Sequence, residues 1–153
     1  MKKSLLILFV LLFSTTVFSQ SISKRVTDFN LEKKVAIQGY DPVAYFVQKK
    51  AVKGKSTLAS TYDGVVYHFS SQANKDLFLK NPSSYEPQYG GWCAFAMGDY
   101  GEKVEINPET FKIIDGKLYL FYSAFFNNTL KSWKKDETNL KKKAHTNWKK
   151  IYN

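Results

Sequence analysis

Cysteine is almost missing from this chain: its 153 residues include a single one, Cys93. One thiol cannot close a disulfide within a molecule, so an internal redox staple is excluded, and Cys93 is buried, bound to something, or paired between molecules. Long apolar runs are also scarce. The one near the start, Leu5 to Phe13, is too short for a stable spanning helix, and no other stretch approaches the ~20 apolar residues such a helix needs. Motifs of common enzyme classes are lacking too, with no paired-carboxylate arrangement, no glycine-rich phosphate loop and no nucleotide fingerprint.

What is present begins with a secretory signal. "MKKSLLILFVLLFSTTVFSQ" places two lysines before the apolar run, with small residues Val17 and Ser19 positioned ahead of Gln20. Residues 1–19 are thus expected to be a signal peptide and the mature protein to be exported, periplasmic or secreted. No cysteine follows to take a lipid. Removing 19 of 153 residues leaves 134, the size of a single domain with its own core. Aromatic residues at 16% give that core bulky side chains. The formal charge of +10 becomes +8 without Lys2 and Lys3, which favours acidic partners or anionic surfaces without naming one.

Local patterns predict an α+β fold, a small single domain over residues 20–153 with two β-hairpins. The first surrounds Asp63-Gly64, between Leu58–Tyr62 and Val65–Ser70; period 2 puts Val65, Tyr67 and Phe69 on one face and Val66, His68 and Ser70 on the other. A short helix then starts at Ser70 or Ser71 and stops at Asn81-Pro82, with Ala73, Leu77 and Phe78 as its buried side. The second hairpin surrounds Asp115-Gly116. Ahead of them, "SISKRVTDFNLEKK" reads as a short helix or ordered arm, "VAIQGYDPVAYF" as two strand-like pieces around a turn, and "KKAVKGKST" as a basic loop. "WCAFAM" reads as a short helix or turn, with Cys93 and Met97 on one face if helical. From Ser123 the chain is expected to be helical in two pieces, forming a C-terminal extension striped by Leu140, Ala144, Trp148 and Ile151. Its opposite face is rich in lysine, the usual mark of solvation.

The series "GYDPVAYF … TYDGVVYHFSSQANKDLFLKNPSSYEPQYGGWCAFA" resembles the YHS domain family in its small exported form. The resemblance covers about Ile37 to Tyr122, with "AHTNWKK" similar to that form's ending. It implies a possible metal-binding role, because related YHS and TRASH-type domains hold heavy metals through cysteines. Those relatives open with Cys-Pro where this chain has Asp41-Pro42. They read Tyr-Phe-Cys-Ser where it has Tyr67-His68-Phe69-Ser70-Ser71, and Asn74 falls where a later cysteine stands. Oxygen and amide groups replace the thiolates that soft or borderline ions select.

The remaining candidate metal ligands are Cys93, His68 and Met97, for copper or zinc, while Asp41 is a candidate ligand-binding residue or a turn cap. The alternative for Cys93 and Met97 is a place in the core. One Cys, two His and a Met match a blue-copper set by number, but His145 lies far along a lysine-rich helix. A papain-like reading of "QYGGWCAF" fails because Trp92 precedes Cys93, Gly90 stands at the earlier cysteine's place, and only 60 residues follow. Nucleic acid is not an expected partner. Weak association with anionic lipid or polysaccharide stays open, with loss at moderate salt as its signature, and so does the oligomeric state. The leading expectation is a non-enzymatic exported protein binding a soft metal ion or small ligand. The second is a structural or partner-binding module without metal, and the third a thiol-dependent enzyme.

Overall fold

The structure is a computed structural model that describes Ile22 and residues 24–152, so the expected signal peptide lies outside the described residues. The elements are small and mixed, giving an α+β fold. A helical segment, α1 (residues 24–28), leads into a tight pair of strands, β1 (Leu31–Glu32) and β2 (Val35–Ala36). The first expected hairpin is present as β3 (Lys55–Tyr62) and β4 (Val65–Phe69). Asp63 and Gly64 turn it with φ of 45° and 81°, the left-handed pair that matches strand twist in a two-residue loop. These strands form one sheet in the order β1-β2-β4-β3, with β2 parallel to β4. β3 starts three residues earlier than Leu58, inside the expected basic loop, because an irregularity between Lys55 and Ala59 extends the pairing.

The alternation on β4 falls as expected: Val65, Tyr67 and Phe69 are buried and their neighbours half-buried. Each such apolar side chain contributes about 1.5–3 kcal/mol by leaving water. Against them packs α3 (Gln72–Lys80), capped by Ser71, whose hydroxyl accepts the Asn74 N–H at 3.2 Å. Its buried side is Asn74 and Phe78, whereas Ala73 is exposed and Leu77 only half-buried. The polar Asn74 faces inward because a buried carboxylate awaits it there.

Two other expectations need correction. The second piece of "VAIQGYDPVAYF" is a helical turn, α2 (Ala44–Val47), not a strand. Asp41 explains the change, since its Oδ1 accepts the N–H groups of Val43 at 2.9 Å and Ala44 at 3.3 Å and so starts a helix. Residues after Ser123 do not enter a helix directly. They first form a minute hairpin, β7 (Ser123–Ala124) with β8 (Asn127–Asn128), which the helix-like composition around it concealed.

Between these parts lie α4 (Ala94–Asp99) and the second expected hairpin, β5 (Asn107–Ile114) with β6 (Lys117–Phe121), which forms its own two-stranded sheet. The chain ends in α5 (Thr129–Trp133) and α6 (Glu137–Tyr152), with Leu140 and Ala144 buried on α6 and Trp148 and Ile151 packed beside them. Two apolar clusters result. One gathers Val43, Tyr45, Val65, Tyr67, Phe69, Phe78 and Cys93, and the other Tyr89, Met97, Tyr119, Phe121, Trp133 and Leu140. No helix among the described residues is long and apolar enough to cross a membrane.

Candidate functional site

Cys93 precedes the first residue of α4 and is fully buried. Its carbonyl accepts the Met97 N–H at 3.0 Å, so the two residues are one helical turn apart, as the spacing predicts. Their side chains nonetheless join different clusters. The Cys93 sulfur accepts the Tyr122 N–H at 3.3 Å and lies 3.4 Å from the Thr129 hydroxyl. A fully buried thiol lacks the access that a nucleophile requires.

Asp41 is fully buried as well, and its surroundings are more informative. While Oδ1 holds the start of α2, Oδ2 accepts the Ser70 N–H at 2.7 Å, the Ser70 hydroxyl at 2.6 Å and the Asn74 amide at 2.7 Å. Asn74 also donates to the Ser70 hydroxyl at 3.3 Å. Asp41, Ser70 and Asn74 are the three positions where the resemblance places thiolates, and the fold brings them onto one oxygen. A soft metal does not fit here: the carboxylate is saturated by donors, and no sulfur or imidazole belongs to the cluster. Among the described residues, no group of three or more His, Cys, Asp and Glu could hold a metal ion.

His68 occupies a different setting. It lies on the less buried face of β4, two residues before Ser70, and lines a cavity of about 340 Å³ with Glu32, Lys33, Val35, Gln38, Gly39 and Lys53. The segment from Val35 to Asp41 runs beside Val66 to Ser70 in the same direction, yet it is two residues longer. The surplus is taken up by three successive left-handed residues, Ile37, Gln38 and Gly39, with φ of 52°, 50° and 79°. For β-branched Ile37 that conformation is a real strain, and strain of this kind concentrates at ligand clamps and active sites.

The opposite wall is set by close packing. A Cβ on Gly54 would fall 2.5 Å from the His68 carbonyl carbon, so only glycine lets this segment lie against β4. Gly54 donates its N–H to the Gly39 carbonyl at 2.9 Å, and the Asp41 backbone N–H donates to the Val52 carbonyl at 2.8 Å. Lys53 therefore arrives over the cavity, donating to the Gln38 carbonyl with its ammonium 4.8 Å from the Tyr40 ring centroid. Gln38 donates to the Ile106 carbonyl at 3.1 Å and borders a second cavity, about 500 Å³, that includes Tyr40, Glu105, Asn107, Glu109 and Ser123. Of the groups around His68, sequence reasoning missed Lys33, Gln38, Gly39 and Lys53. The available signal was the pair of glycines, Gly39 and Gly54, each beside one of these polar residues.

His145 stands apart from all of this. On α6 it pairs through Nδ1 with the Tyr89 hydroxyl at 3.2 Å, and burial, helped by Lys141, pulls its pKa below the ordinary 6.5. A third cavity, about 460 Å³, lies on the polar side of α6 among Asp136, Asn139, Lys142, Lys143, Thr146 and Asn147.

Comparison with known proteins gives one match. Residues 43–89 fit the family model of the YHS domain, a stretch that contains Ser70, Asn74 and His68 but begins just after Asp41 and ends before Cys93. No curated protein and no solved structure matches the chain.

Proposed function

We propose that this chain, a YHS domain-containing protein, is an exported, non-enzymatic binding protein whose ligand is a small anion held at the His68 cavity. One observation carries the reading: an imidazole and two lysines from three separate segments converge on a concave site walled by strained left-handed backbone. Lys33 and Lys53 supply positive charge, His68 and Gln38 supply polar groups at fixed positions, and Glu32 at the rim limits how much negative charge the site accepts. Convergent polar groups in a pre-formed hollow are the usual form of a small-molecule site. Export rests on the N-terminal sequence.

The copper or zinc ligand implied by the resemblance is less favoured at this place, since His68 is the lone soft donor among the residues lining the cavity. An enzymatic thiol is disfavoured by the burial of Cys93.

The test is a titration of the chain from Gln20 onward, followed by backbone amide NMR, with phosphate, small carboxylates, Cu(I) and Zn(II) in separate arms. The expected result is saturable movement of the Gln38, Gly39, Lys53 and His68 signals with one anion, weakened tenfold or more by Lys53→Ala. Shifts spread over all surface lysines would refute an anion site. Tight retention of metal after dialysis would return the resemblance's reading to first place.

A further inference from the structure

The most exposed large apolar side chains are adjacent: Phe125 and Phe126 are each as open as in an extended peptide, at 103% and 107% exposure. They form the two-residue tip of the β7–β8 hairpin, whose register pairs Ser123 with Asn128 and Ala124 with Asn127. Such loops favour glycine, asparagine or aspartate, because a positive φ is needed. Phe125 nevertheless sits at φ 51°. Folding gains nothing from this choice, since the rings are uncovered and the backbone is strained.

The tip is held at a fixed place. Thr129 donates its N–H to the Tyr122 carbonyl at 3.0 Å, Asn107 donates to Ser123 at 3.4 Å, and Asn128 caps α5 by accepting the Leu130 N–H at 3.1 Å. Two strand residues lift the rings about 7 Å above that base. In the sequence that follows come Lys131, Lys134 and Lys135, exposed and without an ion-pair partner among the described residues. On the other flank, Glu105 and Glu109 border the cavity beside Ser123 and Ala124.

We infer that the Phe125–Phe126 hairpin is a membrane-surface anchor, inserting its rings at the headgroup boundary of an anionic bilayer while Lys131, Lys134 and Lys135 lie against the lipid charge. A protruding pair of rings suits a medium that yields around it, and burial of roughly 5–10 Å is the depth at which apolar faces rest in such interfaces. The lysines give the charge complementarity, and the two glutamates fix the tilt by keeping their flank away. This inference is independent of the His68 cavity.

Co-sedimentation of the chain from Gln20 onward, which removes the Leu5–Phe13 run as a competing anchor, tests it. With vesicles of equimolar phosphatidylcholine and phosphatidylglycerol, binding is expected that weakens at least tenfold in F125S/F126S. Each of K131Q, K134Q and K135Q should weaken it about fivefold. Phosphatidylcholine vesicles should bind poorly, and circular dichroism melting of the variants should be unchanged. The inference is overturned if the wild type ignores anionic vesicles or if F125S/F126S binds as well as wild type. It is equally overturned if size exclusion shows a wild-type dimer that F125S/F126S converts to monomer, because the occupant would then be a second copy.

Discussion

Removing the Asp41 carboxylate is the most direct probe of how this domain is held together. In Asp41→Ala the five hydrogen bonds to Oδ1 and Oδ2 vanish, but their donors do not suffer equally. Asn74 keeps its contact with the Ser70 hydroxyl at 3.3 Å, and that hydroxyl can rotate to a new acceptor. The backbone N–H groups of Ser70 and Val43 cannot move. Each buried orphan costs about 1–3 kcal/mol, and loss of the charged acceptor's stronger bonds puts the sum at roughly 3–5 kcal/mol. That is a large share of the ~5–15 kcal/mol typical of a domain, so the variant should sit near the edge of unfolding.

Asp41→Asn refines the prediction. An amide can still accept from one side, either from Val43 and Ala44 or from Ser70 and Asn74, but its NH₂ then confronts donors on the other. We expect about 2–3 kcal/mol from the pair of groups left facing a donor. Urea unfolding of the chain from Gln20 onward measures both, with the slope m unchanged if only native contacts are lost. A loss below about 1 kcal/mol for Asp41→Ala would refute the idea that this carboxylate organises the fold, because even one orphaned backbone N–H should cost that much.

Other outcomes follow from the same geometry. The triple substitution D41C/S70C/N74C should bind zinc more tightly than the wild type, read by competition with a chromogenic chelator, since the three side chains already meet at one point and thiolates suit the ion. Cys93 should react with a thiol reagent only after unfolding; Cys93→Ser, which can still accept from Tyr122, should cost about 1–2 kcal/mol for a polar group in the core. Gly54→Ala should cost about 1–3 kcal/mol by urea unfolding, because its Cβ would collide with the His68 backbone. The pKa of His145 is lower in the folded state, so the unfolded chain binds its proton first as pH falls through 6.5. The contribution is therefore present above that value and is lost on acidification; the imidazole is largely exposed, so a shallow slope in melting temperature is expected, and it should disappear in His145→Gln.

Much of the fold was legible because it depends on local chemistry. Asp-Gly between β-rich runs can do little but turn, and both such turns are hairpins. The strip of Leu140 and Ala144 had to face a core, and it does. The failures share a cause, which is a long-range partner that no local window contains. Asn74 was absent from the expected buried side of its helix, yet Asp41, 33 residues earlier, draws it inward. Ala44 to Val47 looked like a strand because the cap that makes it helical also belongs to the buried network. Phe125 and Phe126 lie in a stretch that reads as helical from Ser123 onward, whereas they tip a hairpin. The cavity was hidden more deeply still, since its polar groups come from three segments with different readings: Lys33 from an arm, Gln38 from a strand-like piece and Lys53 from a basic loop.

The lock and the cavity are also one construction. His68 on β4 and Ser70 just past its end are alternate residues, and Asp41 and Gly39 are alternate residues on the segment running beside them. The Asp41–Ser70 bond fixes that segment's far end and the Val35–Val66 pairing its near end, which leaves the left-handed Ile37–Gly39 turn no way to relax. Loss of the lock should therefore release strain at the cavity as well as stability in the core. Asp41→Asn, studied where it is still folded, should weaken anion binding by more than its distance from the ligand would suggest, while Phe78→Leu, which destabilises the same cluster and whose ring packs on Tyr62, Tyr67, Phe69 and Tyr85, should leave affinity unchanged. Equal affinities in wild type and Asp41→Asn would mean that the cavity keeps its shape without the lock, and that the strain at Ile37 has another origin.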